Sequence, residues 1–247
     1  MGFMKIRRRL SRCLRLWKRR FHIPISLQGG IKINSHRIKS QWVLNSLIAG
    51  FYEGDEARSL QGLIQPDDRI LELGTGLGYI SCLAAKKAHH GRVLSYEANP
   101  KMVDLANETI QLNAVENVEI RNGILDIEQG PREFFLSEHF WESSLEHRPN
   151  WNMLVVQAES IQLTLEDFSP TVLIVDIEGG EYELFKTPFM NTNSTLRQMS
   201  IEFHKCDNPF ESFSKLKFDG WESNRNLEVI QNMLLKNHQT VVFTRVR

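Results

Sequence analysis

Three acidic residues close an apolar run in Val172-Leu173-Ile174-Val175-Asp176-Ile177-Glu178-Gly179-Gly180-Glu181. Carboxylates crowded in this way raise one another's pKa and lose hydration, so the grouping calls for a use. Two uses suit it: taking a proton from a poorly acidic group, or holding the hydroxyls or metal ion of a ligand. Residues i and i+2 of a strand share a face, so Asp176 and Glu178 project together if the extended geometry persists. Glu181 falls in the first turn of the next helix, where it serves the same chemistry or offsets the helix dipole. A second run, Ser200-Ile201-Glu202-Phe203-His204-Lys205, sets Glu202 and His204 on one face. An imidazole titrating near neutrality can accept a hydroxyl proton. Asp176, Glu178, Glu181, Glu202 and His204 are therefore the candidate catalytic residues. Asp176, Glu178 and His204 also suit Mg²⁺ or Mn²⁺.

A second constellation is built for binding. Glu72-Leu73-Gly74-Thr75-Gly76-Leu77-Gly78-Tyr79 follows an apolar strand and opens a helix. Its glycines allow a tight turn and close approach of backbone to ligand. A dinucleotide loop wants G-x-G-x-x-G, with a third glycine that helps seat a pyrophosphate. Here the spacing is G-x-G-x-G, and Glu72 stands before it, an acid that repels pyrophosphate and suits a cationic sulfonium with an amino group. The ligand implied is S-adenosylmethionine. Glu97, in Ser95-Tyr96-Glu97-Ala98-Asn99-Pro100, lies ~20 residues on, where an acid takes ribose hydroxyls. Asn122-Gly123 ends the third strand beside the expected adenine. The cofactor set is thus Glu72, Gly74, Thr75, Gly76, Gly78, Tyr79, Glu97, Ala98, Asn122 and Gly123.

The elements that must carry these residues alternate. Strands at 70–73, 92–98, 117–122, 171–176 and 199–204 are interleaved with helices at 79–87, 101–113 and near 180–187. Such alternation specifies βαβ units. The expected fold is α/β: a Rossmann-like, mostly parallel doubly wound sheet of the class I methyltransferase kind. Two helices, Ser40–Phe51 and Glu53–Ile64, precede it, and residues about 125–165 break the rhythm as an insertion of extra antiparallel strands. A helix at about 225–236 and a strand Thr240–Arg245 complete the chain. The reading divides it into an arm (1–21), a helical and strand lead-in (22–64), and a cofactor-binding domain (65–247).

At 247 residues, with 41% hydrophobic and 24% charged residues, the composition is that of a soluble globular protein. Three scattered cysteines exclude a disulfide framework and fit a reducing, cytoplasmic setting. Zero net charge conceals an asymmetry. Twelve of the thirty Lys and Arg residues precede Glu53, the first acidic residue of the chain. In the arm, Phe3, Ile6, Leu10, Leu14, Trp17 and Phe21 form an apolar stripe set among arginines and lysines. This pattern suits peripheral contact with an anionic membrane, here at its inner face. An equal alternative is a helix packing on the body.

Leu173 to Glu181, LIVDIEGGE, resembles the K-I-D-V-E-G-x-E signature of FkbM-type S-adenosylmethionine-dependent methyltransferases. The similarity spans roughly residues 50 to 205, from Tyr52-Glu53-Gly54-Asp55-Glu56 through ELGTGLGY and YEANP to Ile201-Glu202-Phe203-His204. Ile174 stands where the family has lysine, and Thr75-Gly76 replaces its usual Ala-Asn in the loop. The resemblance implies methylation of a hydroxyl on a sugar, glycolipid or related product, with a small-molecule or glycan acceptor. The alternatives are a nucleic-acid methyltransferase using the basic arm, or an inactive cofactor-binding module. The sequence places Asp176-Ile177-Glu178-Gly179 where base-amino methyltransferases carry a D-P-P-Y-like tetrad, which weighs against nucleic acid.

Overall fold

The computed structural model describes residues 23–137, 151–191, 193–204, 218–225 and 238–246, with positions 216 and 234. The basic arm and most of the expected helix at 225–236 lie outside the described residues. The chain enters through a short antiparallel pair, β1 (Ile25–Ser26) and β2 (Lys32–Ile33), then α1 (Gln41–Ala49) and α2 (Gly54–Ser59). Ser40 caps α1 by accepting from the Val43 N–H, and Gly50 ends it in the left-handed conformation. The second helix is half the expected length. After Ser59 the chain turns through Gly62, whose φ of 79° no helix accommodates.

The main sheet contains β3 (Arg69–Leu73), β4 (Arg92–Glu97), β5 (Val118–Asn122), β9 (Val172–Val175), β10 (Gln198–Phe203), β11 (Trp221–Ser223) and β12 (Gln239–Arg245). Its order is β11-β12-β10-β9-β3-β4-β5. The strands from β10 to β5 pair in parallel, while β12 runs antiparallel to both β10 and β11. Helices α3 (Tyr79–Lys87), α4 (Pro100–Leu112), α5 (Ile161–Phe168) and α6 (Glu181–Leu184) complete the α/β pattern. This is a Rossmann-like sheet whose direction of winding reverses between β3 and β9. Ligands bind at the carboxyl ends of the strands flanking such a reversal.

The strands flanking the reversal are buried on both faces, as a parallel sheet requires. Ile70, Val172 and Ile174 enter one core cluster, while Leu71, Leu73, Leu173 and Val175 enter the other. Glu72 interrupts this apolar alternation on the first face. The expected insertion is a second sheet, β6 (Ile124–Asp126), β8 (Asn152–Ser160) and β7 (Gly130–Leu136) in that order. Only β7 and β8 pair antiparallel. β6 pairs with β8 in parallel, because β8 inserts between β6 and β7 instead of adding to the outer edge of β7 as a meander would. Strand β11, three residues long, has no signal in the sequence.

Candidate active site

The glycine loop leaves β3 and enters α3 with Gly74, Gly76 and Gly78 at φ of 91°, 54° and 77°. A side chain at Gly78 would come within 3.0 Å of the Ala106 backbone, so α3 and α4 close together only on glycine. At Gly76 a Cβ would approach Glu53 Oε1 and Tyr52 Oη, which places the loop against an acidic wall. Glu97, at the end of β4, accepts from the Gly76 N–H at 3.0 Å and the Asn99 N–H at 2.8 Å. Burial raises its pKa to about 7. Glu72 is 1% exposed and accepts from the Ser81 and Ser95 hydroxyls, each at 2.5 Å. Burial again dominates and lifts its pKa to about 7.

One cavity of about 660 Å³ runs from this loop to the ends of β9 and β10. Of the expected cofactor residues, Glu72, Gly74, Gly76, Glu97, Ala98 and Gly123 line it. Thr75, Gly78, Tyr79 and Asn122 do not. Thr75 spends its hydroxyl on Ser95 at 2.5 Å, and Tyr79 donates to the Gln28 carbonyl. The Asn122 amide braces the β4 end, donating to the Glu97 and Ala98 carbonyls. These four residues shape the loop and its surroundings from outside the cavity. The apolar end is formed instead by Ala98, Met102, Ile124, Leu125 and Phe134, partly from the second sheet. Glycines forming a cradle, an inward acid and an apolar slot fit S-adenosylmethionine.

The opposite wall is the acidic cluster. Strand β9 ends at Val175, and the Asp176 N–H extends the ladder to the Leu73 carbonyl at 2.9 Å. Glu178 does not continue the strand, because its φ is 53°. The shared direction of Asp176 and Glu178 therefore comes from a turn and not from extended geometry. Both reach the same nitrogen: His204 Nε2 lies 3.6 Å from Asp176 Oδ1 and 3.2 Å from Glu178 Oε2. His204 Nδ1 is 3.0 Å from Glu181 Oε1. Glu181 is 0% exposed and turns back to accept from the Ile177 and Gly179 N–H groups. It therefore binds its own preceding turn and the histidine together. Glu202 lies 3.3 Å from Nε2 of His238, just before β12.

These contacts reassign the proton. Burial alone would lower the pKa of His204, but its hydrogen bond to Glu181 and the surrounding carboxylates raise it well above the ordinary value. An imidazole that stays protonated at neutral pH is a poor base, contrary to the expectation from sequence. The carboxyls move the other way. Burial raises Asp176 even with His204 beside it, and lifts Glu178 and Glu202 to about 8. Glu178 and Glu202 therefore hold protons at neutral pH, which leaves Asp176, facing the His204 cation, as the carboxyl placed to accept one.

Sequence reasoning missed Glu53, Glu56 and His238, all of which line the cavity. The first two lie within the Tyr52–Glu56 run already marked by the family resemblance, which was their available signal. Burial raises both well above the ordinary carboxylate range. Donor atoms of Asp176, Glu181 and His204 lie within 4.8 Å of one another, as do those of Glu56, Asp176 and Glu202. Both ring nitrogens of His204 already face carboxylates, and no comparison with known proteins supports a metal ion.

A pH dependence follows from these groups. Between 4.5, the ordinary glutamate value, and about 8, the folded chain keeps protons on Glu178 and Glu202 that the unfolded chain has lost. His204 acts in the same sense, contributing fully below its unfolded value and losing that contribution as pH rises through its folded one. Without ligand, the melting temperature is therefore expected to fall as pH rises from about 5 to about 8.5. A thermal melt series would contradict this if stability rose over that window.

The TRM5/TYW2 methyltransferase domain family matches residues 50–136. A protein-L-isoaspartate O-methyltransferase of Protochlamydia amoebophila is 38% identical over 63 residues, 26% of this chain and 29% of that protein. A ribosomal protein L11 methyltransferase of Bacillus cereus is 33% identical over 76 residues, 30% of this chain and 24% of that protein. The chain thus matches about a quarter of the length of these curated relatives. The M. jannaschii TYW2 structure in complex with AdoMet has a TM-score of 0.46 at 14% identity, covering 87% of this chain and 82% of that one. Sheet order and glycine loop define a Rossmann-like α/β fold, and residues 50–136 are similar to a methyltransferase domain. No helix among the described residues is long and apolar enough to cross a membrane.

Proposed function

We propose that this chain methylates a hydroxyl of a sugar, glycolipid or related small acceptor, in the manner of the FkbM-type enzymes it resembles. The observation that carries the reading is the single cavity, lined at one end by Gly74, Gly76 and Glu97 and at the other by Asp176, Glu178, Glu202 and His204. When bound, S-adenosylmethionine supplies an electrophilic methyl group on a sulfonium. Holding an acceptor in line beside it contributes up to ~7–11 kcal/mol through effective molarity. Asp176, whose Oδ1 is buried without a hydrogen-bond partner, takes the hydroxyl proton. His204, held as a cation by Glu181, orients that carboxylate and Glu178. No metal is needed for these steps.

A second reading, nucleic-acid methylation, has the comparisons on its side. The matching family model is TRM5/TYW2, and the basic arm offers charge for phosphates. The wall of buried carboxyls favours the first reading, since it suits the hydroxyls of a small acceptor and not phosphates. The arm also supports peripheral membrane contact, which would suit a glycolipid acceptor.

Transfer of labelled methyl groups to pooled glycans and to total RNA separates the readings. We expect glycan labelling by the full chain, and at least a hundredfold loss in Asp176→Asn with S-adenosylhomocysteine binding retained. Labelling confined to RNA would install the second reading, and normal turnover by Asp176→Asn would remove its role as base.

A further inference from the structure

We propose that this chain pairs with a second copy of itself along the outer edge of β5, joining two sheets into one. In the sheet order β5, Val118–Asn122, is a terminal strand. The Val93 N–H donates to the Asn117 carbonyl at 2.8 Å, and the Gly123 N–H donates to the Glu97 carbonyl at 3.0 Å. Backbone groups alternate in direction along a strand, so Asn117, Glu119, Arg121 and Gly123 turn theirs to β4. Val118, Ile120 and Asn122 turn theirs outward, and among the described residues no strand covers that side. An open edge is a template for another strand, and many are blunted by proline, lysine or a bulge. Val118-Glu119-Ile120-Arg121-Asn122 has none of these.

The charges of the strand select its partner. Set antiparallel to itself about a two-fold axis at Ile120, β5 places Ile120 opposite Ile120 of the second copy, and Val118 opposite its Asn122. Every outward N–H and C=O then meets its counterpart in a hydrogen-bonded pair. Glu119 falls opposite Arg121 of the second copy, and Arg121 opposite its Glu119. Sliding to the next hydrogen-bonded register brings Glu119 opposite Glu119 in one direction, and Arg121 opposite Arg121 in the other. Like charges directly opposite are destabilising, so the strand's own sequence fixes the register.

The surroundings leave room for this joint. The Glu119 and Arg121 side chains are 63% and 42% exposed. Arg121 is held on its face by Glu119 at 2.7 Å, Glu159 at 3.2 Å and the Tyr96 hydroxyl at 3.0 Å, so it loses little freedom on pairing. That face borders an open groove of about 630 Å³, where Leu163, 51% exposed, offers apolar surface to bury. On the other face the half-buried Val118 and Ile120 already pack on the first core cluster, and pairing extends it. Antiparallel joining sets the carboxyl ends of the two groups of parallel strands at opposite ends of the common sheet, so both cavities stay open.

Sedimentation velocity and light scattering on the full chain are expected to show a concentration-dependent dimer. Glu119→Arg sets arginine opposite arginine, Arg121→Glu sets acid opposite acid, and each alone is expected to weaken the dimer at least tenfold. Mixed together, the two variants regain both opposite-charge pairs and are expected to form a heterodimer near the native affinity. The mixture carries its own folding control, since each variant is the same molecule alone and mixed. Ile120→Pro removes an N–H that serves no bond within the fold, as an outward edge position allows. It is expected to abolish the dimer with the melting temperature nearly unchanged. A native chain that stays monomeric, a dimer that survives these changes, or variants that fail to complement one another on mixing overturns the proposal.

Discussion

Gly74→Ala is expected to abolish cofactor binding and to lower the melting temperature sharply. A Cβ at this position would stand 1.7 Å from the Asp176 carbonyl oxygen and 2.8 Å from its carbon. Both partners are backbone, and both are pinned. The Gly74 N–H donates to the Tyr96 carbonyl at 2.9 Å, and the Asp176 N–H donates to the Leu73 carbonyl at 2.9 Å. Relief therefore requires β3 and β9 to part at the point where the sheet reverses, which moves the cofactor loop and Asp176 together. Overpacking costs about 1–3 kcal/mol, and the φ of 91° adds strain of order 1–3 kcal/mol. Gly62→Ala is the control, because its φ of 79° imposes strain with nothing within 4 Å. Calorimetry with S-adenosylhomocysteine and thermal melts compare the two. Binding by Gly74→Ala within threefold of the native chain would show that the two strand ends are not locked to one another.

The same contact shows what the sequence can and cannot disclose. Glycine at 74 is legible as a turn that lets backbone approach a ligand, but the backbone it must clear belongs to Asp176, a hundred residues away. Local pattern placed the strands of the βαβ units within a residue or two, since each is a short apolar run bounded by turns. It also placed five acids or histidines at two strand ends. It did not reveal that Glu178 leaves the strand with a positive φ, or that His204 would sit among three carboxylates. Those facts depend on neighbouring strands and on burial. Glu53, Glu56 and His238 were hidden for a related reason. They reach the cavity from the start of a helix before the sheet and from the residue leading into β12, and apart from the family resemblance over Tyr52–Glu56 nothing in their local sequence announces a shared destination.

Glu181→Ala is expected to be the most damaging change in the acidic wall, despite its position in the first turn of a short helix. Its carboxylate accepts from the Ile177 and Gly179 N–H groups and faces His204 Nδ1, all without solvent contact. Removing one partner of a buried ion pair costs up to about 3–5 kcal/mol, and here the change also leaves the Ile177 and Gly179 N–H groups and His204 Nδ1 without their acceptor. Glu181→Gln keeps the shape and removes only the charge, so it separates packing from electrostatics. In the native chain His204 is expected to remain protonated through neutral pH, and in Glu181→Gln its pKa is expected to fall. NMR titration of the histidine reads this directly, and a native His204 titrating near its ordinary value of 6.5 would refute the assignment. Turnover is expected to follow the histidine's charge and not the fold. Glu181→Gln should lose kcat at least tenfold with KM for S-adenosylmethionine nearly unchanged, since its effect reaches the reacting groups through His204. A helix-capping acid would give the opposite result, a lower melting temperature with kcat retained.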